Sequence, residues 1–318
     1  MLDNIGFYTL TDARAKGASE KSPLWRCELI LTDKCNFKCS YCRGLRDDIK
    51  GTMPFNDAYK TVELWAKHGL KNIRFSGGEP TIYPNLTGLI EHSKTVGIER
   101  IAISSNGSAP SDYYKQLVEA GVNDISFSLD ACCSAFGNKM AGGINVFDVI
   151  TNNIREMSKL TYATVGIVVT EDNLSELQKI INFADSLGVS DIRVISAAQL
   201  SKVIPTLSTV NESLLSKHPI LKYRVENARA GRAVRGITDK DSKRCGLVLD
   251  DMAIACGYHF PCVIYMREGG DPIGRVSAGM REKRKDWYYR HNTHQDNICK
   301  NNCLDVCIDY NNTFEGVQ

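Results

Sequence analysis

Three cysteines near the start of the chain have the residue type and spacing to bind a metal centre. Cys35, Cys39 and Cys42 lie close enough in sequence for three thiolates to converge on one face of a small inorganic cluster. A structural zinc site normally closes with four ligands, whereas three cysteines on a four-iron cluster leave one iron open to an outside ligand. The nearest spare donor, His68, is too far along the chain to be assigned as a fourth ligand. The spacing therefore favours an open iron–sulfur cluster over zinc.

A second polar segment, Gly77-Gly78-Glu79-Pro80, directly follows a predicted strand. Its glycines permit close backbone approach, and the Glu79 carboxylate can accept hydrogen bonds from an ammonium group. Standing alone, such a segment is more often a tight turn. Combined with the cysteine loop, it predicts a ligand-binding loop.

The segment from Thr32 to Cys42 resembles the signature loop of the radical S-adenosylmethionine (SAM) superfamily, including the aromatic Tyr41 before the last cysteine. In that family the open iron binds the amino and carboxylate groups of SAM. One electron from the cluster then cleaves SAM to methionine and a 5′-deoxyadenosyl radical, which abstracts hydrogen from a substrate. Gly77-Gly78-Glu79-Pro80 resembles the family's motif for the methionine amino group, and the resemblance covers roughly residues 25–196.

The same resemblance implies further SAM-binding residues. Ser105 and Asn106 are expected near the ribose. Ser128 and Asp130 are expected near the methionine carboxylate and ribose, and Val168 is expected beside the adenine.

Six of the twelve cysteines lie beyond position 244. Cys245 and Cys262, with Gly257 between them, resemble the first half of the auxiliary-cluster pattern in the SPASM and Twitch subfamilies. The remaining ligands would come from Cys299, Cys303 and Cys307. Two of these three would complete one auxiliary [4Fe-4S] cluster, as in the shorter Twitch type. Zinc is the alternative, because His291 and His294 lie nearby, although both are interpreted as polar surface residues.

Cys256 stands beside this pattern and has three interpretations: a ligand, a buried thiol or a hydrogen-atom donor to a substrate radical. The last follows from the resemblance, since family members that epimerise use a thiol in this way. Cys132 and Cys133 share that possibility, although a loop or packed thiol is the simpler interpretation.

Alternating strands and helices must position these residues. From about Trp25 to Ser196, short β-branched runs alternate with segments of helical period, which predicts βα units and a parallel sheet. The predicted strands are Cys27–Leu31, Asn72–Phe75, Arg100–Ser104, Asp124–Leu129, Thr164–Thr170 and Asp191–Ile195. Six units are too few for a closed eightfold barrel. We therefore expect an α/β fold, a partial (β/α)6 barrel, with its chemistry at the C-terminal ends of the strands.

The alternation fades beyond Gln199, where a helix is predicted over Asn211–Ala230. A composition rich in Cys, Gly, Asp and Asn follows, so we place a boundary near Arg235. The predicted organisation is an N-terminal segment (1–24), a radical SAM partial barrel (25–235) and a small C-terminal cysteine-rich auxiliary-cluster domain (236–318).

Composition limits the partners. With 39 Lys+Arg against 37 Asp+Glu, the chain has a net charge close to zero. It would attract a polyanion only weakly, so a nucleic acid partner is not expected. The sequence shows neither a secretory signal nor a membrane span, and a reducing compartment suits the twelve cysteines, so we expect a cytoplasmic protein with no membrane partner.

The resemblance implies two [4Fe-4S] clusters and SAM as cofactors. It also implies an electron donor such as flavodoxin or ferredoxin, and a small-molecule or peptide substrate. The cysteine loop looks most like the molybdenum-cofactor GTP cyclase branch, but the end of the sequence lacks that branch's Gly-Gly, so GTP cyclisation is not expected. Dehydrogenation, epimerisation, cross-linking and cyclisation stay open. From a different class, the alternative is an electron-transfer iron–sulfur protein or a zinc-stabilised binding protein.

Overall fold

A single nine-stranded sheet organises the molecule, whose computed structural model describes residues 12–197 and 205–315. The spatial order of its strands is β6-β5-β4-β3-β2-β1-β7-β8-β9. The strands are β1 (Arg26–Thr32), β2 (Asn72–Gly77), β3 (Arg100–Ser105), β4 (Asp124–Ser128), β5 (Tyr162–Val169), β6 (Asp191–Ser196), β7 (Asp251–Ala255), β8 (Tyr258–Phe260) and β9 (Gly274–Arg275).

The first six strands confirm the predicted βα units. Each pairs in parallel with its sequence neighbour, for example Cys27 opposite Ile73 and Ala102 opposite Asp124. Every residue of β1 is buried, including the polar Arg26 and Glu28, as expected for a central strand covered on both faces. The partial α/β barrel predicted from the sequence is confirmed.

Helices connect these strands and continue through the last third of the chain. They are α1 (Asp12–Gly17), α2 (Phe55–Lys67), α3 (Leu86–Thr95), α4 (Ser111–Ala120), α5 (Ser134–Met140), α6 (Phe147–Met157), α7 (Leu177–Ser186), α8 (Glu212–Leu215), α9 (Pro219–Arg229), α10 (Val263–Arg267), α11 (Met280–Arg290), α12 (Asn297–Asn302) and α13 (Asp305–Glu315). The apolar residues Leu177, Ile180, Ile181 and Ala184 of α7 are buried, and Gly188 beyond its end has a φ of 80°.

The helix predicted over Asn211–Ala230 is instead two helices, α8 and α9. The break falls at Pro219, which cannot donate a backbone hydrogen bond and disfavours helical geometry in the preceding residue. His218 accordingly has an extended ψ of 86°, and Pro219 opens α9 at its first position.

The C-terminal strands extend the same sheet. Strand β7 pairs in parallel with β1, placing Arg26 opposite Asp251, and β8 and β9 follow as antiparallel strands. The Arg26 guanidinium and Asp251 carboxylate are buried and form an ion pair at 2.5 Å, which fixes this register. The sheet therefore runs across the predicted boundary near Arg235, and residues 236–318 as a separate domain stay a prediction.

Within residues 12–197 and 205–315, no helix has both the length and the apolar character needed to cross a membrane.

Candidate active site

A cavity of about 310 Å³ opens at the C-terminal ends of the six parallel strands. This volume falls at the lower end of the range for small-molecule sites. The predicted site residues that line it are Cys35, Cys39, Tyr41, Cys42, Gly77, Gly78, Ser105, Asn106, Ser128, Asp130 and Val168. The fold thus brings together side chains from five different strand ends, as the barrel topology predicts.

The cysteine loop presents its thiols to this cavity. Cys35 and Cys42 are exposed, and Cys39 is half-buried. The backbone N–H of Phe37 donates to Cys35 Sγ at 3.4 Å, and the Asn106 side-chain amide lies 3.9 Å from the same sulfur. Burial raises the pKa of Cys39 to about 11, so this thiol needs a metal to become a thiolate at neutral pH.

The two glycines allow the loop after β2 to dock against the loop after β1. Gly78 donates to the Thr32 carbonyl at 2.7 Å, and Glu79 donates to the Lys34 carbonyl at 2.9 Å. A Cβ at Gly77 would lie 2.3 Å from the Thr32 oxygen, and one at Gly78 would lie 2.1 Å from the Lys34 oxygen. Because backbone atoms cannot move aside cheaply, only glycine fits at either position.

Glu79 is fully buried and holds the adjoining loop by its carboxylate. One oxygen accepts from the Ser105 hydroxyl at 2.8 Å and from the backbone and hydroxyl of Thr81; the other accepts from the Asn106 backbone N–H at 2.7 Å. Burial raises its pKa while these donors oppose the shift. The observed role of Glu79 is to position Ser105 and Asn106, and its direct contact with an ammonium group stays a prediction.

Asp130 links the cysteine loop to β5. Its carboxylate accepts from the Tyr41 hydroxyl and, at 2.7 Å, from the Val168 backbone N–H. Asn173 adds an amide hydrogen bond to the Asp130 carbonyl at 3.1 Å and to the Val168 carbonyl at 2.9 Å. Burial raises the pKa of Asp130 to about 6. The loops that carry three predicted SAM-binding residues are therefore held together before any ligand arrives.

Two predicted residues have other surroundings. Pro80 is buried and begins the 3-10 turn after Glu79. Cys256 lies in the two-residue turn between β7 and β8, where it and Gly257 have φ values of 46° and 77°. Its thiol donates to the Ile49 carbonyl at 2.9 Å, and it packs on a small apolar cluster. Cys256 is not among the described residues that line the cavity, and its role as a hydrogen-atom donor stays a prediction.

The C-terminal cysteines surround a second cavity, of about 40 Å³. Its wall contains five thiols: Cys245, Cys262, Cys299, Cys303 and Cys307. Burial raises the pKa of each, in the case of Cys262 to about 12, and neighbouring thiols add to the rise for all but Cys245. N–H groups approach several of the sulfurs, including Tyr265 N–H to Cys262 at 3.4 Å and the Asn311 amide to Cys245 at 3.7 Å.

The cysteine sulfurs of both groups are more widely separated than the ligands of one zinc ion. In tetrahedral zinc sites, Zn–S bonds of about 2.3 Å bring the sulfurs to roughly 3.8 Å from one another. Among the described residues, no three cysteine sulfurs lie within 4.8 Å of one another. The cysteines alone therefore do not form a preformed site for a single zinc ion.

His291 was interpreted from the sequence as a surface residue and is instead half-buried beside Cys299. Its Nε2 lies 3.6 Å from Cys299 Sγ and 3.8 Å from an Asp296 carboxylate oxygen, and its ring stacks on Trp287. Among the described residues, His291, Asp296 and Cys299 are the one group of potential metal ligands whose ligand atoms all lie within 4.8 Å of one another. His294 contacts the Asp241 carbonyl instead.

Three arginines in the wall of the first cavity were not predicted: Arg43, Arg235 and Arg267. Arg267 donates a hydrogen bond to the Gly77 carbonyl, 190 residues away in sequence, so local sequence patterns could not predict this contact. Of the three, only Arg43 could have been placed near the cavity from the sequence, because it directly follows Cys42.

Comparison with known proteins agrees with this geometry. The family model described as the Radical SAM superfamily matches residues 29–184. A probable GTP 3′,8-cyclase of Sulfurisphaera tokodaii is 28% identical over 201 residues, which cover 62% of this chain and 64% of that protein. The molybdenum cofactor biosynthesis protein moc-5 of Caenorhabditis elegans is 37% identical over 108 residues, or 32% of this chain and 18% of its own. The chain thus spans less than two thirds of either relative.

Solved structures share the fold over a longer range. Streptococcus suis SuiB bound to the precursor peptide SuiA superposes with a TM-score of 0.61 at 15% identity, covering 86% of this chain and 66% of SuiB. Native anSMEcpe with bound AdoMet superposes with a TM-score of 0.61 at 15% identity, covering 83% of each chain. The cysteine loop and the glycine loop lie within the matched range and on one partial barrel, so residues 29–184 form a radical SAM domain.

Proposed function

We propose that the protein reductively cleaves SAM and abstracts a hydrogen atom from a small-molecule or peptide substrate. The observation that carries this proposal is the convergence of three open thiols and the predicted SAM-binding residues on one cavity. When bound, a [4Fe-4S] cluster supplies the electron that cleaves SAM to methionine and the 5′-deoxyadenosyl radical.

The residues of the chain bind and orient the reactants. Cys35, Cys39 and Cys42 would hold the cluster, leaving one position open to SAM. The glycine loop offers exposed backbone beside those thiols, since Gly77 and Gly78 both line the cavity. Asp130 fixes Tyr41 and the Val168 backbone, so the opposite wall does not need to reorganise on binding.

The C-terminal cysteines would hold an auxiliary [4Fe-4S] cluster. Five thiols face a cavity of about 40 Å³ lined mainly by apolar side chains, so a cluster there would be shielded from solvent. Four thiols suffice for a cluster, and a fifth is surplus. The ligand set of Cys245 and Cys262 with two of the later three stays the proposal.

Similar proteins include both substrate classes. The SuiB structure holds a precursor peptide, and the curated relatives are named for GTP 3′,8-cyclisation. A small molecule or a peptide is therefore compatible with the fold, and flavodoxin or ferredoxin is the proposed electron donor.

Anaerobic reconstitution tests the proposal directly. The protein is expected to bind about eight iron atoms, four per cluster, and after reduction with dithionite to convert SAM to 5′-deoxyadenosine. Iron and zinc are measured by elemental analysis, and 5′-deoxyadenosine by chromatography.

The outcomes separate the competing functions. Zinc without iron would indicate a zinc-stabilised binding protein. Full iron loading with no SAM cleavage under any reductant would indicate an electron-transfer protein. Either result overturns the proposal.

A further inference from the structure

Three guanidinium groups converge on the cavity from three separate segments. Arg43 follows the cysteine loop, Arg267 ends α10, and Arg235 pairs with Leu304 in an isolated β-bridge. Their contacts run from the end of β2, where Arg267 donates to the Gly77 carbonyl at 3.3 Å, to the end of β6, where Arg235 donates to the Ser196 carbonyl at 3.4 Å. The three guanidinium groups thus reach the cavity from the cysteine loop and from the ends of β2 and β6.

These cations exceed the carboxylates that face them. Arg43 pairs with Glu268, whereas the contacts of Arg267 are the carbonyls of Gly44 and Gly77. Among the described residues of the cavity wall, Asp130 is the one carboxylate, and it is already engaged by Tyr41 and the Val168 backbone. The arginine side of the cavity therefore carries an excess of positive charge.

Arg235 has unused hydrogen-bonding capacity. Its side chain is buried, with 4% of its surface exposed, and its two carbonyl contacts are long, at 3.4 and 3.5 Å. Its Nε has no hydrogen-bond partner among residues 12–197 and 205–315. Burying an unpaired guanidinium donor costs free energy. An anionic ligand that accepts a hydrogen bond from this donor would remove that cost.

The arginines also repel one another. Burial and the charge of Arg43 lower the pKa of Arg235 to about 10. Like charges held this close are stabilised when an oxyanion binds between them, because planar guanidinium groups match carboxylate and phosphate geometry.

We propose that Arg43, Arg235 and Arg267 form a binding site for an oxyanion of the substrate, a carboxylate or a phosphate, in the same cavity as SAM. This inference rests on the proposed function, because it deepens that function by naming the substrate's chemical class. The site lies on the side of the cavity nearest the C-terminal cysteines, since Gly236, next to Arg235, donates to the Cys303 carbonyl at 2.8 Å.

Binding of simple anions to the SAM-loaded, reconstituted protein tests the site. Pyrophosphate and citrate are titrated separately at low, fixed ionic strength, because salt screens exposed charges. We expect at least one probe to bind, and we expect Arg267→Met and Arg43→Met each to weaken that binding about tenfold or more. The probe that binds more tightly identifies the phosphate or the carboxylate source.

Matched controls keep the result interpretable. Arg155→Met removes an exposed arginine on α6 and should leave probe binding unchanged. Thermal unfolding shows whether each variant folds, and Arg267→Lys should recover part of the affinity by restoring the charge.

Several outcomes overturn the site. If neither probe binds the wild-type protein, a substrate oxyanion site is excluded here. It is also excluded if both probes bind the wild-type protein and the methionine variants equally well. A tenfold loss of SAM affinity with unchanged probe binding would assign the arginines to the SAM carboxylate. Release of 5′-deoxyadenosine is measured in the same samples, so SAM cleavage without probe binding rejects the anion site alone.

Discussion

The two cysteine groups of this chain differ in access rather than in residue type. Cys35 and Cys42 are exposed at a cavity of about 310 Å³, whereas the C-terminal thiols surround one of about 40 Å³ among side chains such as Leu247 and Trp287. The first group has room for a ligand beside its metal, and the second does not. A sequence motif that supplies thiols therefore does not define a role until the surrounding space is known.

Different access implies different energetics. A cluster on an exposed loop can be removed while the core stays packed. A cluster at the centre of a packed cysteine group contributes its binding free energy to folding. The comparison predicts that the first group controls activity and the second controls stability.

Removing the first group should have the largest effect on activity. In the triple variant Cys35→Ala, Cys39→Ala, Cys42→Ala, SAM cleavage is expected to be lost and iron to fall by about half. The free energy of unfolding should change by less than about 1 kcal/mol, because two of the three side chains are exposed and the third is only half-buried in the same loop. Iron analysis, 5′-deoxyadenosine release and denaturant unfolding measure the three quantities. A loss of all iron would contradict the separation of the two groups.

Removing the second group should have the largest effect on stability. We expect Cys262→Ala with Cys303→Ala to abolish the auxiliary cluster and to lower the free energy of unfolding by several kcal/mol. The paired control is Cys132→Ala with Cys133→Ala, which changes two cysteines outside the second cavity. Equal stability of both double variants would show that the C-terminal thiols hold no metal that matters to folding.

The glycine loop should respond to a single methyl group. Gly78→Ala forces a Cβ against the Lys34 carbonyl, so we expect a loss of about 2 kcal/mol or more in stability and a clear loss of SAM affinity. The control Gly279→Ala adds a methyl group in open space, at a φ of −88°, and should change neither quantity. SAM affinity is measured by equilibrium dialysis. Wild-type affinity in the Gly78 variant would show that the two loops are not closely docked.

Glu79→Gln should act through the loop that Glu79 positions. An amide group replaces a carboxylate that accepts from Ser105 and Asn106, so a donor will face a donor. We expect about 1–3 kcal/mol of lost stability and weaker SAM binding. Aspartate at this position keeps the charge but shortens the reach, so both variants should fall below wild type. An unchanged SAM affinity in Glu79→Gln would leave Glu79 without a positioning role.

Cys256→Ala should have the smallest effect. The thiol donates a hydrogen bond to the Ile49 carbonyl and packs on a small apolar cluster, so we expect the free energy of unfolding to fall by about 1 kcal/mol. SAM cleavage and solvent deuterium incorporation into product should stay at the wild-type level. Loss of deuterium incorporation in this variant alone would support the hydrogen-donor role.

The barrel could be predicted from the sequence because each of its strands and helices is defined by residues that lie close together in the chain. The apolar run in β3 and the end of α7 before Gly188 depend on neighbours a few residues away, whereas the glycine loop could be interpreted only in combination with the cysteine loop. The break at Pro219 also had a local signal, because proline rarely continues a helix and disfavours helical geometry in the residue before it.

What sequence could not supply was long-range placement. Strand β7 is a short apolar run whose partner, β1, lies more than two hundred residues earlier, and only the folded Arg26–Asp251 pair shows the register. The inward position of Arg267 and the burial of His291 depend on how the last quarter packs, for which single-sequence periodicity carries no information.

The pairing of β1 with β7 has a consequence for biosynthesis. Arg26 and Asp251 are 225 residues apart, so a nascent chain emerges with one side of its first strand unpaired until most of translation is finished. Every residue of that strand is buried in the folded protein, and an unpaired edge of this kind templates aggregation. Contacts of such high sequence separation also slow folding. Ribosome-bound intermediates of this protein should therefore depend on chaperones until the last quarter of the chain closes the sheet.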